Sequence, residues 1–503
     1  MDPVLLGISL IFEPYNLFLI LVGVALGVLV GALPGLSSTM AVALLLPFTL
    51  QLEPIPAIAM MAALYCAGTF GGSITAILIN TPGTPPAVAT ALDGYPLAQR
   101  GEAGRALGIA AVSSVTGGMF SLIVFIIAAP LLAKVALSFR PPEYFALTLF
   151  GLSMLASISG KSSLRNLIAG LFGVLVSTIG IHLTTGVERF VFGITYFMEG
   201  ISFVPVLVGL FAISEMLNQS QKLNVHMERI KSVAIRLPSK ADFLKIRGTM
   251  LRSSIIGTFI GILPAEGSTI AAIMGYNEAK RWSRNKAEFG KGAIEGIAGP
   301  ETANNAATGG AMVPTLALGI PGSGTTAIIL AALMVHGMRP GPYLVRETPE
   351  FIYAIFAAMF IANVTFLVIG LPGAKLFARV TLIPRQILWP AVFVFSMIGA
   401  YSFSQAAFDV WVMLISGLIG FVMLRHGFGP APFVMGLILG RLMEEFWSQS
   451  MIIFDNNWFR FFDSWIVDLF FVFTLMGLMG PILFRQLNAL MNRMRPEGRV
   501  LED

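Results

Sequence analysis

The sequence predicts an all-α polytopic membrane protein with two inverted structural repeats, each holding a re-entrant or broken-helix hairpin, and roughly 10–12 membrane-spanning segments. Three observations carry this expectation. Of 503 residues, 56% are hydrophobic and only 12% are charged, about half the roughly 25% charge of a typical soluble domain. The 52 glycines and 29 prolines fall largely inside apolar stretches, where they break helices. Two of those breaks recur later in the chain in the same order. So little charge excludes a soluble multidomain enzyme, a disordered chain and a nucleic-acid binder.

Taken in order, the apolar runs fall into two kinds. Plain spans are expected at Ala106–Pro130, Glu143–Ser159, Leu164–His182, Gly200–Leu217, Phe351–Pro372, Gln386–Phe403, Phe408–Arg425, Ala431–Leu442 (short) and Trp465–Phe484. Interrupted runs lie at Leu17–Thr49, Ile55–Pro96, Thr249–Ala279 and Gly292–Met338. Charge orients them. No Lys or Arg precedes Arg100, while Lys222 to Arg252, Lys280 to Lys291 and the tail from Arg485 are basic, which places those three regions in the cytoplasm. Met443–Ser464, with Glu444, Glu445, Asp455 and Asp463, reads as external. Lys134 and Arg140 fit this scheme poorly. The N-terminus lacks a basic region typical of a cleavable signal, so the first apolar run is expected to stay.

Ser253–Ala279 enters and leaves beside basic residues and is too short to cross twice as helix. It should be a re-entrant hairpin turning at Leu263–Gly267. Leu17–Thr49 has the same form, with its turn at Leu33–Ser37 and acidic flanks at Glu13 and Glu53. Gly27, Gly31, Leu33, Pro34, Ser38, Thr39 and Ala41 match Gly257, Gly261, Leu263, Pro264, Ser268, Thr269 and Ala271 at a constant offset of 230 residues. Thr69, Gly71, Pro82 and Gly83 match Thr308, Gly310, Pro321 and Gly322 at an offset of 239. Opposite flanking charge makes the repeats inverted. The expected division is a first repeat half at 1–219, a basic cytoplasmic connector at 220–250, a second half at 251–484 and a cytoplasmic tail at 485–503. In the connector, Ser239 and Asp242 have capping-box spacing and mark a helix start, either on the membrane surface or in a solvated linker.

The turns supply the candidate site. Gly35, Ser37, Ser38 and Thr39, with Gly267, Ser268 and Thr269, open half-helices whose free amides and dipoles favour an anion such as a carboxylate. The same hydroxyls also serve as plain helix caps. Asn80, Pro82 and Gly83, with Pro321, Gly322, Asn304 and Asn305, offer neutral oxygens that suit Na⁺, or they form structural kinks. Glu266 and Glu301 are candidate coupling carboxylates, since acids at membrane depth are rare and usually functional. Cys66 stands alone in an apolar run, and His182, His226, His336 and His426 form no metal constellation in the sequence. No nucleotide-binding, zinc-protease or serine-hydrolase motif is present.

The runs Gly31-Ala-Leu-Pro-Gly-Leu-Ser, Asn80-Thr-Pro-Gly-Thr-Pro through Asp93-Gly-Tyr-Pro-Leu-Ala, and Gly299-Pro-Glu-Thr-Ala-Asn-Asn through Leu318-Gly-Ile-Pro-Gly resemble the TctA family. These are the large membrane subunits of tripartite tricarboxylate transporters, and the resemblance spans nearly the whole chain. It implies a multi-pass protein of the bacterial inner membrane that works with a small TctB-like membrane subunit and a periplasmic TctC-like solute-binding protein. The implied cargo is citrate or a related carboxylate, driven by an ion gradient, commonly Na⁺. The turn at Ala265-Glu266-Gly267 departs from the Pro/Gly-rich turns usual in the family.

The sequence thus predicts a secondary transporter subunit and not an enzyme. It carries no cofactor, uses Na⁺ or alternatively H⁺ as coupling ion, and binds no nucleic acid. A passive pore subunit and an intramembrane enzyme are the alternative readings.

Overall fold

The computed structural model describes residues 2–157, 163–182, 184–221, 236–264, 267–370, 373 and 385–494. In the first half, helices run in the order α1 (Pro3–Ile11), α2 (Pro14–Ala32), α3 (Ser38–Thr49), α4 (Pro54–Ile79), α5 (Ala87–Leu97), α6 (Ala103–Ala136), α7 (Pro141–Ser157), α8 (Ser163–Ser177), α9 (Phe203–Val208) and α10 (Ser214–Ser220). The second half holds α11 (Lys240–Ile262), α12 (Gly267–Trp282), α13 (Ile294–Leu318), α14 (Gly324–Val335), α15 (Pro342–Glu347) and α16 (Pro349–Thr365). It continues with α17 (Arg385–Ser404), α18 (Ala407–Arg425), α19 (Pro430–Ile453) and α20 (Trp465–Met494). Among the described residues the strands are one two-residue antiparallel pair, Gly180–Ile181 with Glu188–Arg189. The fold is therefore all-α and polytopic.

Seven helical segments among the described residues are long and apolar enough to cross a membrane, and four shorter apolar helices accompany them. The shorter group includes α3 and α14, each 12 residues long, about 18 Å at 1.5 Å per residue and too short to span. Prolines begin α2, α4, α16 and α19, where the missing N–H costs nothing. The short run Ala431–Leu442 belongs to a 24-residue helix, α19, which extends through Glu444 and Glu445. Large apolar side chains face outward at helical spacing, for instance Ile123, Ile127 and Leu131 on α6 and Trp411, Ile415, Leu418 and Val422 on α18. A water-facing surface would be depleted of such stripes; a lipid-facing one is built from them.

Two helices form the axis of the molecule. α4 and α13 are buried almost from end to end. α2 and α3 pack on α4, while α11 and α12 pack on α13, and α6 lies along α13. The fit depends on glycine. A Cβ on Gly27 would meet the Leu64 carbonyl oxygen at 2.6 Å, and one on Gly31 the Gly68 oxygen at 2.2 Å. A Cβ on Gly257 would meet the Ala303 oxygen at 2.2 Å, and one on Gly261 the Ala307 oxygen at 2.5 Å. These are the same contacts moved by 230 residues on one helix and 239 on the other.

The helix ends repeat as well. The hairpin arms end alike, Leu33 N–H donating to Val30 O at 3.0 Å and Leu263 N–H to Ile260 O at 3.1 Å. α4 stops at Asn80 (φ +51°) and α13 at Gly319 (φ +74°), both left-handed. Beyond them Thr81 N–H donates to Thr75 O at 3.3 Å and Ile320 N–H to Pro314 O at 3.2 Å. Geometry and sequence offsets therefore agree at five matched pairs.

The helix start at Ser239 is present, with a full capping box to Asp242. From there α11 runs unbroken from Lys240 to Ile262 into the second hairpin. Arg105 at the head of α6 grips Asp242, at 3.2 and 2.5 Å. That guanidinium, chiefly, holds the Asp242 carboxyl below the usual carboxylate range. At the other candidate face, Arg189 forks onto both Glu444 oxygens, and Ser448 and His182 lie beside it.

Candidate functional site: a cavity between hairpin tips and helix breaks

α3 begins where the backbone turns at Leu33–Ser37, and Ser37 caps it, its Oγ accepting from Met40 N–H at 3.1 Å. α14 begins after the Gly319–Gly322 break, and Ser323 caps it in a box with Thr326. α12 begins at Gly267 on the second hairpin, and α5 begins after Pro82–Pro86. All four starts open on one cavity of about 480 Å³.

Its lining includes Gly35, Ser37, Ser38, Thr39, Pro82, Gly83, Ser268, Thr269 and Asn304, nine of the residues singled out from sequence. The tips of both hairpins are thus in one place, although 230 residues separate them in the chain. Tyr65, Thr69, Thr84, Ser323 and Thr325 complete the polar wall. Thr39 Oγ1 and Thr325 Oγ1 are 2.7 Å apart, joining the start of α3 to the start of α14. The Tyr65 hydroxyl reaches Ser323 Oγ at 3.4 Å and also faces Ser268. Leu36, Leu210, Phe211, Leu424 and Ala431 make the apolar side. Among the described lining residues the one charged side chain is Glu215, bonded by Gln219 Nε2 at 2.7 Å.

Asn304 is 1% exposed, and neither its Nδ2 nor its Oδ1 has a partner; Thr84 Oγ1 is also buried and unpartnered. Each such group costs about 1–3 kcal/mol if left unsatisfied.

Other candidates stand elsewhere. Gly267 packs against Gly261, outside the lining. Asn80 is exposed at the end of α4, where its left-handed backbone ends the helix. Pro321 and Gly322 lie buried behind the wall, Gly322 N–H donating to Thr315 Oγ1 at 3.2 Å. Asn305 turns away from the cavity along α13, its Nδ2 donating to Glu301 O at 3.2 Å, while its Oδ1 is unpartnered. Glu301 is fully buried but also outside the cavity. It accepts from Thr90 Oγ1 at 2.5 Å and Ser114 Oγ at 2.9 Å, so α5 and α6 both fasten onto α13 there. Glu266 lies outside the described residues. Among those residues no cluster of His, Cys, Asp or Glu has metal-site form.

Sequence reading missed several wall residues. Tyr65 is the counterpart of Asn304 at the 239 offset, and Thr84 is the counterpart of Ser323; extending that match by a few positions would have found both. Asp93, on α5, stood in the sequence only within a family motif, with no role of its own. Its Oδ1 accepts the Gly292 and Ala293 amides at 2.8 Å each and so caps the start of α13.

The comparisons agree with this architecture. The chain matches the Tripartite tricarboxylate transporter TctA family over residues 17–435. It is 41% identical over 448 residues, 89% of both chains, to the "Uncharacterized 52.8 kDa protein in TAR-I ttuC' 3'region" of Agrobacterium vitis. It is also 41% identical over 197 residues, 39% of this chain and 81% of the relative, to the "Uncharacterized protein in TAR-II ttuC' 3'region" of the same organism. No solved structure matches it. The matched region holds both hairpins, both helix breaks and the whole cavity lining, and on that ground the chain is a multi-pass transporter subunit belonging to the tripartite tricarboxylate transporter TctA family.

Proposed function

We propose that this chain is the large membrane subunit of a bacterial inner-membrane importer of carboxylates, supplied by a periplasmic solute-binding protein and assembled with a small membrane subunit. The observation that carries the reading is the cavity itself: half-helix N-termini from both halves of the chain converge on it, and no Lys, Arg or His stands among its described lining residues. An anion there would be held by amides, hydroxyls and helix dipoles, which bind it without an ion pair that must be broken on release. Ser38, Thr39, Ser268 and Thr269 are the cargo-contacting residues in this reading, and Na⁺ is the coupling ion. The two halves are inverted repeats, and transport moves the hairpin-borne site relative to the plainer spans. The duplicated glycine contacts and helix ends support that reading.

A proton is the second reading for the coupling ion. It is favoured by Glu301, a fully buried carboxyl whose described partners are two hydroxyls and no cation. An isolated charge there is costly unless a cation or proton accompanies it.

The test is uptake of labelled carboxylates by proteoliposomes holding this chain with its two partner subunits. Accumulation should follow an imposed Na⁺ gradient and fall steeply in a Ser38→Ala, Ser268→Ala double variant. Uptake indifferent to Na⁺ but driven by a pH gradient would move the coupling role to the proton. Downhill flux without any coupling ion would make the chain a passive pore.

A further inference from the structure

The two halves match in sequence and in helix contacts, but their half-helices are not equally covered. At the offsets that pair the halves, Val88 and Leu92 of α5 stand where α14 has Ala327 and Ala331, and Ile273 of α12 stands where α3 has Ala43. The three alanines are fully buried, whereas Val88, Leu92 and Ile273 are 55%, 48% and 51% exposed. The difference lies in what covers each helix. α3 packs on α9 and α17, and α14 packs on α9 and α19. Leu44 of α3 packs into one apolar cluster with Val208 and Trp389, while Ala331 and Met334 of α14 line a cavity of about 70 Å³ with Leu437 and Ile438 of α19. α5 and α12 pack on α4, α6, α11, α13 and each other, with no comparable cover from α8–α10 or α17–α19 among the described residues.

The uncovered apolar side chains follow the wall of the large cavity. Val88 lines it, Leu92 comes one helical turn after Val88, and Ile273 comes one turn after the lining residue Thr269. The same cavity is lined by Phe211, between α9 and α10, by Glu215 and Gln219 of α10, and by Leu424 near the end of α18. Charge gives the side. From the cavity α5 and α12 run toward Arg100 and Lys280, α10 runs toward Lys222, and α18 ends at Arg425, so the uncovered end is cytoplasmic. α3 runs instead toward Glu53, with α14 packed beside it, so the covered end is external. Apolar surface left wet inside a cavity is stabilised when another apolar surface closes on it.

We propose that this is a cytoplasm-facing conformation in which Val88, Leu92 and Ile273 are an open cytoplasmic gate, one that closes onto Phe211 and Leu424 when the external seal of α3 and α14 on α9, α17 and α19 opens. The inference rests on the transport reading above and adds to it the residues that close each side. The two seals differ in build. The external one uses Ala43, Ala327 and Ala331, which let helix backbones approach closely. The cytoplasmic one uses longer side chains, which close a wider gap.

The experiment uses the full chain with its two partner subunits in vesicles of known orientation. Cys66 is the one native cysteine and is 1% exposed, so site-resolved mass spectrometry separates it from introduced thiols. Val88→Cys, Leu92→Cys and Ile273→Cys should react with a membrane-impermeant maleimide from the cytoplasmic side about tenfold faster than Ala327→Cys and Ala331→Cys. A disulfide between Ala331→Cys and Leu437→Cys, or between Met334→Cys and Ile438→Cys, should hold the external seal shut. Uptake of labelled carboxylates should then stop and return with reductant, while a thiol added at position 88 should react from the cytoplasm at least as fast as before bridging. Leu92→Gln and Ile273→Gln should keep the wild-type unfolding midpoint, since both side chains are exposed here, yet lower uptake about tenfold, because the closed gate buries their amides unpaired. A residue that only supports the fold would move the midpoint and the uptake together. The proposal is overturned by equal labelling of gate and alanine positions, by labelling of both sets from both sides at once, by full uptake through a bridged seal, by bridging that slows labelling at position 88, or by full uptake in both glutamine variants. If the folded wild type takes up none of the acids but the labelling and bridging results hold, the carboxylate cargo fails while the gate stands.

Discussion

Replacing Gly31 by alanine sets a methyl group 2.2 Å from the Gly68 carbonyl oxygen. Ordinary contact begins at 3.4 Å, so α2 and α4 must part by about 1 Å, because backbone oxygen in a buried helix cannot swing aside. Overpacking of this kind costs roughly 1–3 kcal/mol. The twin change, Gly261→Ala, meets the Ala307 oxygen at 2.5 Å and should cost a similar amount. Both glycines stand just before a hairpin turn, so each substitution also displaces a cavity-lining tip. Gly248→Ala is the control: it lies in α11, where a new Cβ would touch only the end of the Arg252 side chain, at 3.4 Å, and helix propensity alone favours alanine by up to about 1 kcal/mol. Unfolding midpoints in one detergent should fall by a few degrees for Gly31→Ala and Gly261→Ala and should hold or rise for Gly248→Ala. Wild-type midpoints for both hairpin variants would refute the argument that close helix approach forms the cavity wall.

Three further outcomes follow from named contacts. Glu301→Leu leaves the Thr90 and Ser114 hydroxyls without their acceptor and should cost about 2–4 kcal/mol in chemical or thermal unfolding, whereas Glu301→Gln, which keeps one acceptor oxygen, should cost about 1 kcal/mol. Asp93→Ala uncaps the amides of Gly292 and Ala293 and should lower stability by about 1–2 kcal/mol; Asp93→Asn should recover most of it. Asp242 is held below its ordinary range chiefly by Arg105. Its stabilisation is therefore complete above the unfolded carboxyl value near pH 4 and is lost as pH falls through the lower folded value. Asp242→Asn should lose about 1 kcal/mol at pH 7 and show a flatter fall of the unfolding midpoint between pH 4 and pH 2 than the wild type.

Much of the fold was legible because membrane depth leaves few options. Apolar length marks spans, and Pro34, Asn80, Pro82 and Pro321 had to mark breaks, since a helix cannot continue through such runs. The end of α13 at Gly319 and the turn at Leu263 fell where the offsets put them. The start of α11 was legible in the Ser239–Asp242 capping spacing, but its unbroken course to Ile262 was not, because Lys240, Lys245 and Arg247 give its first turns a polar composition unlike the apolar turns that follow. Asn80 takes a left-handed cap conformation that ends α4, a backbone role that its residue type alone did not announce.

The sequence by itself determined that this is a membrane protein, where its helices break, that the breaks come in two matched sets, and which family it belongs to. Each of these is written in local composition or in spacing, and none needs a third dimension. Only the tertiary structure decided which matched residues share a cavity and which do not. It put Thr39 against Thr325, left Asn304 and Thr84 unpartnered, and sent Glu301 to a separate bond pair between α5 and α6. The reason is physical: whether a polar group is satisfied depends on what a distant segment brings within 3 Å of it, and no residue carries that information alone.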